Sequence, residues 1–325
     1  MSEKWIGEFQ QIIMNHDATT DEISRAFELK SQNLPQMLYR YRPPKVRSIE
    51  ELEHDSVWAS QPAGQNDPLD SICQVSMLEV FKATQRARFA KIAQNSGIMD
   101  QLTEDQKQVC ASSDDPMAAL QEASIESSAP DEMANLVKMF DVLRTFVSKE
   151  VEEMAQALRQ IPHHHLRICC FSTDYQSTSM WDRYSGGRQG LCIAYDFSSL
   201  PPSPRNELWR RWVYPVIYRD TPYDITPFLL ANIKQPTTAP LWPMLASIHK
   251  AADWSNEKEW RLVMPPETTP TAKLEYLCKP SSVYMGDRME PDMEQRVEAI
   301  ARRRGITVFK MEVSQPERRL IARPR

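Results

Sequence analysis

The sequence predicts an α+β fold built on a mixed, mostly antiparallel sheet that a large helical insertion interrupts. Short segments of β texture recur on both sides of about residues 68–161, and one long amphipathic stripe runs through the stretch between them. The later strand candidates are separated by long irregular passages, including a Pro-rich one from Pro236 to Pro243, which suits antiparallel pairing better than βαβ repeats.

Residues 1–34 read as two N-terminal helices. Trp5, Ile6, Phe9, Ile12 and Ile13 form the stripe of the first, and Thr19 followed by Glu22 gives the second a capping box. Residues 35–325 then form the α+β domain. Its first strand is Leu38-Tyr39-Arg40-Tyr41-Arg42, where aromatics alternate with arginines, and after a polar stretch, Glu50 to Asp55, a second covers Ser56 to Ser60. Asn66-Asp67-Pro68 follows, with Asp67 placed to cap a helix whose first residue is Pro68 and which carries Met77, Phe81 and Ile92 inward before stopping near Gly97. The longest helix opens at Pro130 and Asp131, with Met133, Leu136, Phe140, Leu143, Phe146, Val147, Val151, Met154 and Leu158 at three- and four-residue steps. Strand texture returns at Leu166–Ser172, Gly190–Tyr195, Val213–Tyr218, Trp260–Val263 and Ser282–Met285. A helix at Met289–Arg304 and a strand at Ile306–Val313 complete the chain.

Of the 325 residues 41% are hydrophobic and 26% charged, with a net charge of -5, the balance of a globular chain. No window approaches the roughly 18 uninterrupted apolar residues of a membrane span, so no membrane partner is expected. The opening MSEKWIGEFQ lacks the apolar core of a signal peptide, and the six cysteines follow no repeating spacing, both as expected of a cytoplasmic protein. The eight glycines form neither a dinucleotide loop nor a P-loop. His163-His164-His165 near Cys169 and Cys170 lacks ligand spacing, so no metal is expected.

LYRYR, the WAS and NDPLD blocks, CFST, MWDRYSGGRQGLCIAYD, VIY and EKEWRL together resemble the domain-of-unknown-function family 2971 across roughly residues 37 to 290. That resemblance supplies no reaction. The order LYRYR, CFST, EKEWRLVMPP is also similar to the Arg-Ser-Glu class of ADP-ribosyltransferases. This second resemblance implies NAD as the bound nucleotide, ADP-ribose transfer or NAD hydrolysis, and a protein or nucleic-acid acceptor, in the setting of a bacterial toxin or antiphage effector.

The chemistry fits the residue types. Cleaving the nicotinamide–ribose bond builds positive charge on the sugar, which a nearby carboxylate stabilises. Glu259 is the residue chosen for this, with Glu257 beside it; on a strand they share a face with Arg261, and their mutual repulsion is expected to raise one pKa. Arg40 or Arg42 clamps a phosphate, Ser172 and Thr173 orient the glutamate or a sugar hydroxyl, and Trp181 and Tyr184 stack on a ring. Plainer readings stand beside these: Glu257, Glu259 and Arg261 as a solvated charged face, Asn66 and Asp67 as a capping turn, and Trp181 and Tyr184 as core. The stripe from Met133 to Leu158 also suits a non-catalytic interaction module, and Glu257, Glu259, Asp67 and the arginines a metal-independent nuclease. The C-terminal arginines 302–304, 318, 319, 323 and 325 are either a patch for an acidic partner or a solvated helix end and frayed tail.

Overall fold

A computed structural model describes residues 3–15, 17–95, 102–113, 115–126, 128, 130–234, 241–264, 271–274 and 278–325. In chain order the elements are α1 (Glu3–Ile13), α2 (Thr20–Gln32), β1 (Met37–Arg42), α3 (Val46–His54), β2 (Val57–Ser60), β3 (Cys73–Gln74), α4 (Met77–Asn95), α5 (Glu104–Ser112), α6 (Pro116–Glu126) and α7 (Pro130–His165). They continue with β4 (Arg167–Ser172), α8 (Thr178–Tyr184), β5 (Leu191–Asp196), α9 (Pro204–Trp212), β6 (Val213–Pro215), β7 (Ile217–Tyr218), β8 (Tyr223–Asp224), α10 (Thr226–Lys234) and α11 (Trp242–Ser247). Last come β9 (His249–Lys250), β10 (Glu259–Met264), β11 (Thr271–Leu274), β12 (Ser282–Met285), α12 (Pro291–Arg304), β13 (Thr307–Ser314) and β14 (Arg319–Pro324). The architecture is α+β.

The chain divides into two compact units. One contains residues 1–72, 162–222 and 244–325; the other contains 73–161 and 223–243. The second unit is helical, with a short parallel pair of β3 and β8 and a core of Phe89, Leu102, Cys110, Met117, Leu120, Ala123 and Phe140. Its long helix α7 buries Phe140, Val147, Val151 and Ala155 but exposes Met133, Leu143, Phe146 and Met154, so only part of the expected stripe faces inward.

The first unit holds the main sheet, in which β4 is a branch point. One edge of β4 pairs with β10 along its whole length, from Arg167 opposite Met264 to Ser172 opposite Glu259, and β10 then takes β6. The other edge touches β2 only at Ile168, opposite Ser60, and β1 only at Ser172, opposite Tyr39. Beyond that touch β1 pairs with β5 over all six of its residues, and β12, β13 and β14 follow. Among the described residues only β12–β13 is parallel in this sheet.

Gly190, at the start of β5, lies where a Cβ would overlap the carbonyl of Arg42. Glycine there lets β5 close against the end of β1.

The N-terminal helices form as expected, with Thr19 and Glu22 bonding reciprocally across the first turn of α2 (Glu22 N to Thr19 Oγ1 3.2 Å; Thr19 N to Glu22 Oε2 2.7 Å). At the other end of α2, Lys30 is buried. Its ammonium donates to the carbonyls of Arg210, Arg211 and Val213 at 2.9, 2.7 and 2.7 Å, satisfying the C-terminal end of α9. The ring of Tyr214 lies 4.3 Å from the same nitrogen.

Several local expectations are corrected. Pro68 does not open a helix: Asp67 Oδ1 accepts from Leu69 N at 2.9 Å in a tight turn, Ser71 takes a left-handed φ of 60°, and the helix waits until Met77. The polar stretch Glu50–Asp55 is largely helical, within α3, which buries Ile49 and Leu52 one turn apart. His163–His165 form the last turn of α7. The C-terminal arginines do not fray, because β14 pairs with β13 and Arg319, Arg323, Arg303 and Arg304 pair with Glu317, Glu312, Glu53 and Asp55. The proposed stop near Gly97 and most of the Pro236–Pro243 passage lie outside the described residues.

Replacing Lys30 by Met leaves three carbonyls at the end of α9 without their donor. The expected loss is about 2–4 kcal/mol of unfolding free energy, read as a lower urea midpoint; an unchanged midpoint contradicts this role for the ammonium.

Candidate functional site

Residues paired across adjacent strands share a face of the sheet. Tyr39, Ser172 and Glu259 are therefore on one face, while Arg40, Arg42 and Phe171 are on the other. The packing agrees: Arg40 bonds Glu51 of α3 on its side, and Tyr41 meets Trp181 of α8 edge-on, at 5.3 Å, on the opposite side. Arginines and glutamates on opposite faces would ordinarily never meet. Here they line one cavity, of about 150 Å³, because β1 and β4 part after Tyr39–Ser172 and leave a wedge through the sheet. Its wall includes Arg40, Arg42, Trp58, Gln65, Cys170, Tyr184, Glu257 and Glu259.

Arg40 fills the parting. Its Nε donates to Glu51 Oε2 (3.2 Å), Nη1 to Cys169 Sγ (2.8 Å) and Cys170 O (3.1 Å), and Nη2 to Glu51 Oε1 (3.4 Å) and Trp58 O (2.8 Å). All five N–H groups of the guanidinium are thereby used. Glu51 also accepts from Trp58 N at 3.0 Å and contacts Arg42 Nε at 3.0 Å, so one buried carboxylate serves two arginines. Among the described residues Arg42 makes only that ion pair, and its Nε is not aligned for a hydrogen bond. Of the two arginines, Arg42 is the one free to receive a ligand.

The glutamate side is a buried ionic network. Arg261, completely buried, binds Asp70 through Nη1–Oδ1 (2.7 Å) and Nη2–Oδ2 (2.6 Å), and Glu259 through Nε–Oε1 (2.8 Å) and Nη2–Oε2 (3.1 Å). Lys250 bridges Glu257 Oε2 (2.6 Å) and Glu259 Oε2 (2.9 Å). Arg183 (3.0 Å) and Tyr184 (2.8 Å) complete Glu257 at Oε1. Three carboxylates thus face three cations, which is what lets so many charges be buried together.

Glu257 reaches this network by a route the strand pattern does not give. It ends a 3-10 segment, Ala252–Glu257, and Lys258 follows with a left-handed φ of 47°, so β10 begins only at Glu259. The kink replaces the shared strand face expected for Glu257, Glu259 and Arg261. Burial pushes the Glu259 carboxyl up, but Arg261 and Lys250 outweigh it and hold it down at about 2. Repulsion between the two glutamates therefore does not govern Glu259. Burial would lower the Lys250 ammonium, yet Glu259 and Glu257 raise it, so it stays charged. Burial and Glu257 likewise keep Tyr184 protonated as a donor.

The structure brings Arg40, Arg42, Tyr184, Glu257 and Glu259 to one wall and leaves the other candidates off it. Ser172 Oγ donates to Glu257 O (2.7 Å) and Thr173 N to Lys258 O (3.2 Å), so both hold the backbone of the glutamate segment rather than its carboxylates or a sugar. Trp181 is completely buried, its Nε1 bound to Tyr175 O at 2.7 Å, and so packs the core instead of stacking on a ligand. Arg261 lies behind Glu259. Asn66 is exposed and Asp67 sits in its own turn. Asp70, Lys250, Glu51 and Trp58 were missed; Asp70 stands in the same NDPLD block as Asp67 and was within reach of the sequence, whereas nothing local marks Lys250. Among the described residues no group of three or more His, Cys, Asp or Glu side chains could hold a metal ion, and no helix is long and apolar enough to cross a membrane.

The profile of the family described as "Protein of unknown function (DUF2971)" matches residues 180–262. That segment runs from α8 to the middle of β10 and includes Tyr184, Lys250, Glu257, Glu259 and Arg261, while Arg40, Arg42 and Asp70 lie outside it. No curated protein and no solved structure matches the chain.

Two outcomes follow from the network. Arg261→Met strands Asp70 and Glu259 and is expected to cost about 3–5 kcal/mol of stability, measured by urea unfolding; a cost below about 1 kcal/mol contradicts the pairing. Because the folded Glu259 pKa lies below its ordinary value of 4.5, its contribution is present above about pH 4.5 and lost as pH falls toward 2. Glu259→Gln is expected to flatten the pH dependence of the urea midpoint in that window; equal slopes in both proteins contradict it.

Proposed function

We propose that the wedge binds a nucleotide, NAD or a relative of it, and that the protein hydrolyses or transfers its ADP-ribose. The observation that carries this reading is a single cavity with an excess guanidinium at one end and a paired-carboxylate network at the other. An anionic group suits Arg42. The positive charge that develops on ribose as nicotinamide leaves suits a carboxylate.

Glu257 is the carboxylate assigned that task. Both ion-pair partners of Glu259 are buried, whereas Arg183, one partner of Glu257, is 40% exposed and can be displaced by an entering ligand. The cavity is smaller than the roughly 300–1,000 Å³ of sites that enclose a drug-sized ligand, so it takes one ring, sugar or phosphate and leaves the rest of the nucleotide at the mouth. The reading places the reaction in the cytoplasm, in keeping with six free cysteines, and leaves the acceptor to be a protein or a nucleic acid.

A second reading, protein interaction, is favoured by α7, where Val142 and Phe146 are 67% and 55% exposed. It expects concentration-dependent association in the ultracentrifuge that Phe146→Glu weakens; a monomer at every concentration removes self-association.

Nicotinamide release from NAD, followed by NMR with cell lysate as acceptor source, tests the first reading. The wild type is expected to release nicotinamide and Glu257→Gln to lose about 100-fold or more. Silence from the wild type, or an unaffected variant, overturns the assignment.

A further inference from the structure

A second cavity, of about 150 Å³, lies in the same unit and shares Lys250 with the glutamate network. It forms where the parallel pair β7–β9 ends: Arg219 N donates to Lys250 O at 2.9 Å, and the chain then turns away through Asp220, Thr221 and Pro222. The turn that carries Asp70 closes another side through Leu69 and Ile72, and Ser71 N fastens that turn to His249 O at 3.3 Å. Lys250 lines this cavity, while its ammonium bonds Glu257 and Glu259, which line the wedge. One ionic network thus links two cavities.

The charges this cavity offers a ligand are one of each sign. Arg219 and Asp220 are exposed, and neither makes an ion pair or a side-chain hydrogen bond among the described residues. The other two ionisable residues of the lining are committed. Burial lowers the His249 imidazole to about 4, so it is neutral near pH 7, and its Nδ1 donates to Leu245 O at 2.6 Å. Lys250 is held by the glutamates. Most of the remaining wall is apolar, and Leu69 stands 58% exposed there beside Ile72 and Pro222. An apolar group laid on them gains about 25 cal/mol for each Å² removed from water.

We propose that this cavity binds a free α-amino acid with an aliphatic side chain and is an effector site for the glutamate network. The planar fork of Arg219 takes the carboxylate, Asp220 the ammonium, and Leu69, Ile72 and Pro222 the side chain. A ligand of single charge leaves Arg219 or Asp220 unmatched, and one without a side chain leaves Leu69 open. The size agrees, since a space of about 150 Å³ holds one small molecule and falls below the roughly 300–1,000 Å³ of sites for larger ligands. Coupling runs through Lys250: a carboxylate beside it competes with Glu257 and Glu259 for its charge. Occupancy of the cavity and the state of the glutamates are therefore linked, each shifting the other by the same factor. Binding makes no use of the nucleotide reading; only its consequence for cleavage in the wedge rests on that reading.

Titration calorimetry of the full chain without NAD provides the test. The probes are L-leucine, isocaproate, which lacks the ammonium, isoamylamine, which lacks the carboxylate, and glycine, which lacks the side chain. Leucine is expected to bind, and each of the others about 10-fold or more weakly. Arg219→Gln and Asp220→Asn, both at exposed positions and both checked for unchanged melting, are expected to weaken leucine binding about 10-fold. Glu257→Gln lies outside the cavity and leaves Lys250 with one carboxylate fewer, so it is expected to tighten leucine binding about 5-fold.

A wild type that does not bind leucine overturns the site, as does leucine binding left unchanged by both Arg219→Gln and Asp220→Asn. Isocaproate or isoamylamine binding as tightly as leucine overturns the amino-acid assignment. Leucine affinity unaltered by Glu257→Gln overturns the coupling. Each of these failures leaves the nucleotide reading standing, and a silent nicotinamide assay leaves the leucine site standing.

Discussion

The first unit is organised around the clamp between Arg40 and Glu51. A strand that leaves its neighbour after one bridge exposes backbone groups on both, and their cost would normally pull the sheet shut. Arg40 occupies the parting instead. Its guanidinium bonds carbonyls of β2 and β4 and the carboxylate of α3 at once, and Glu51 ties the Trp58 amide to the same point. The wedge is thus a closed set of hydrogen bonds with a cavity beside it, and Arg40 is committed to architecture by the same bonds.

What the clamp makes available follows from the pleat. Opposite faces of a sheet present their side chains to separate compartments, and only a gap between strands lets Arg42 and Glu259 look into one space. The glutamate wall is fixed from behind, by Arg261 between Asp70 and Glu259 and by Lys250 between Glu259 and Glu257. Such a network contributes little net stability over an apolar core, but removing any member is costly. It does hold Glu259 ionised and fixes both carboxylates in place next to a cavity, which suits charge stabilisation during bond cleavage better than proton transfer.

Elements governed by neighbours in sequence were legible: the capping box at Thr19, the alternation in β1, the long periodicity of α7 and the strands at Arg167, Leu191, Glu259 and Ser282. Elements governed by distant partners were not. In α3 only Ile49 and Leu52 mark a helix, too few to show a period, and β14 is a strand because β13 is beside it. The site divides in the same way. Arg42, Tyr184, Glu257 and Glu259 were found because their residue types suggested chemistry, while Asp70 meets Arg261 across 191 positions and Lys250 sits among apolar residues that mark a strand of no special kind. Trp181 and Tyr184 carried the same signal in sequence; burial separates them, one in the core and the other on the cavity wall.

The parting of β1 from β4, and its use as a ligand site, is the claim on which the rest depends. A crystal structure of the chain soaked with ADP-ribose examines it directly. The account predicts β1 and β4 bridged only at Tyr39–Ser172, Arg40 in the gap, and ligand density between Arg42 and Glu257. Continuous β1–β4 pairing beyond that bridge, or ligand bound elsewhere with the wedge empty, would contradict it.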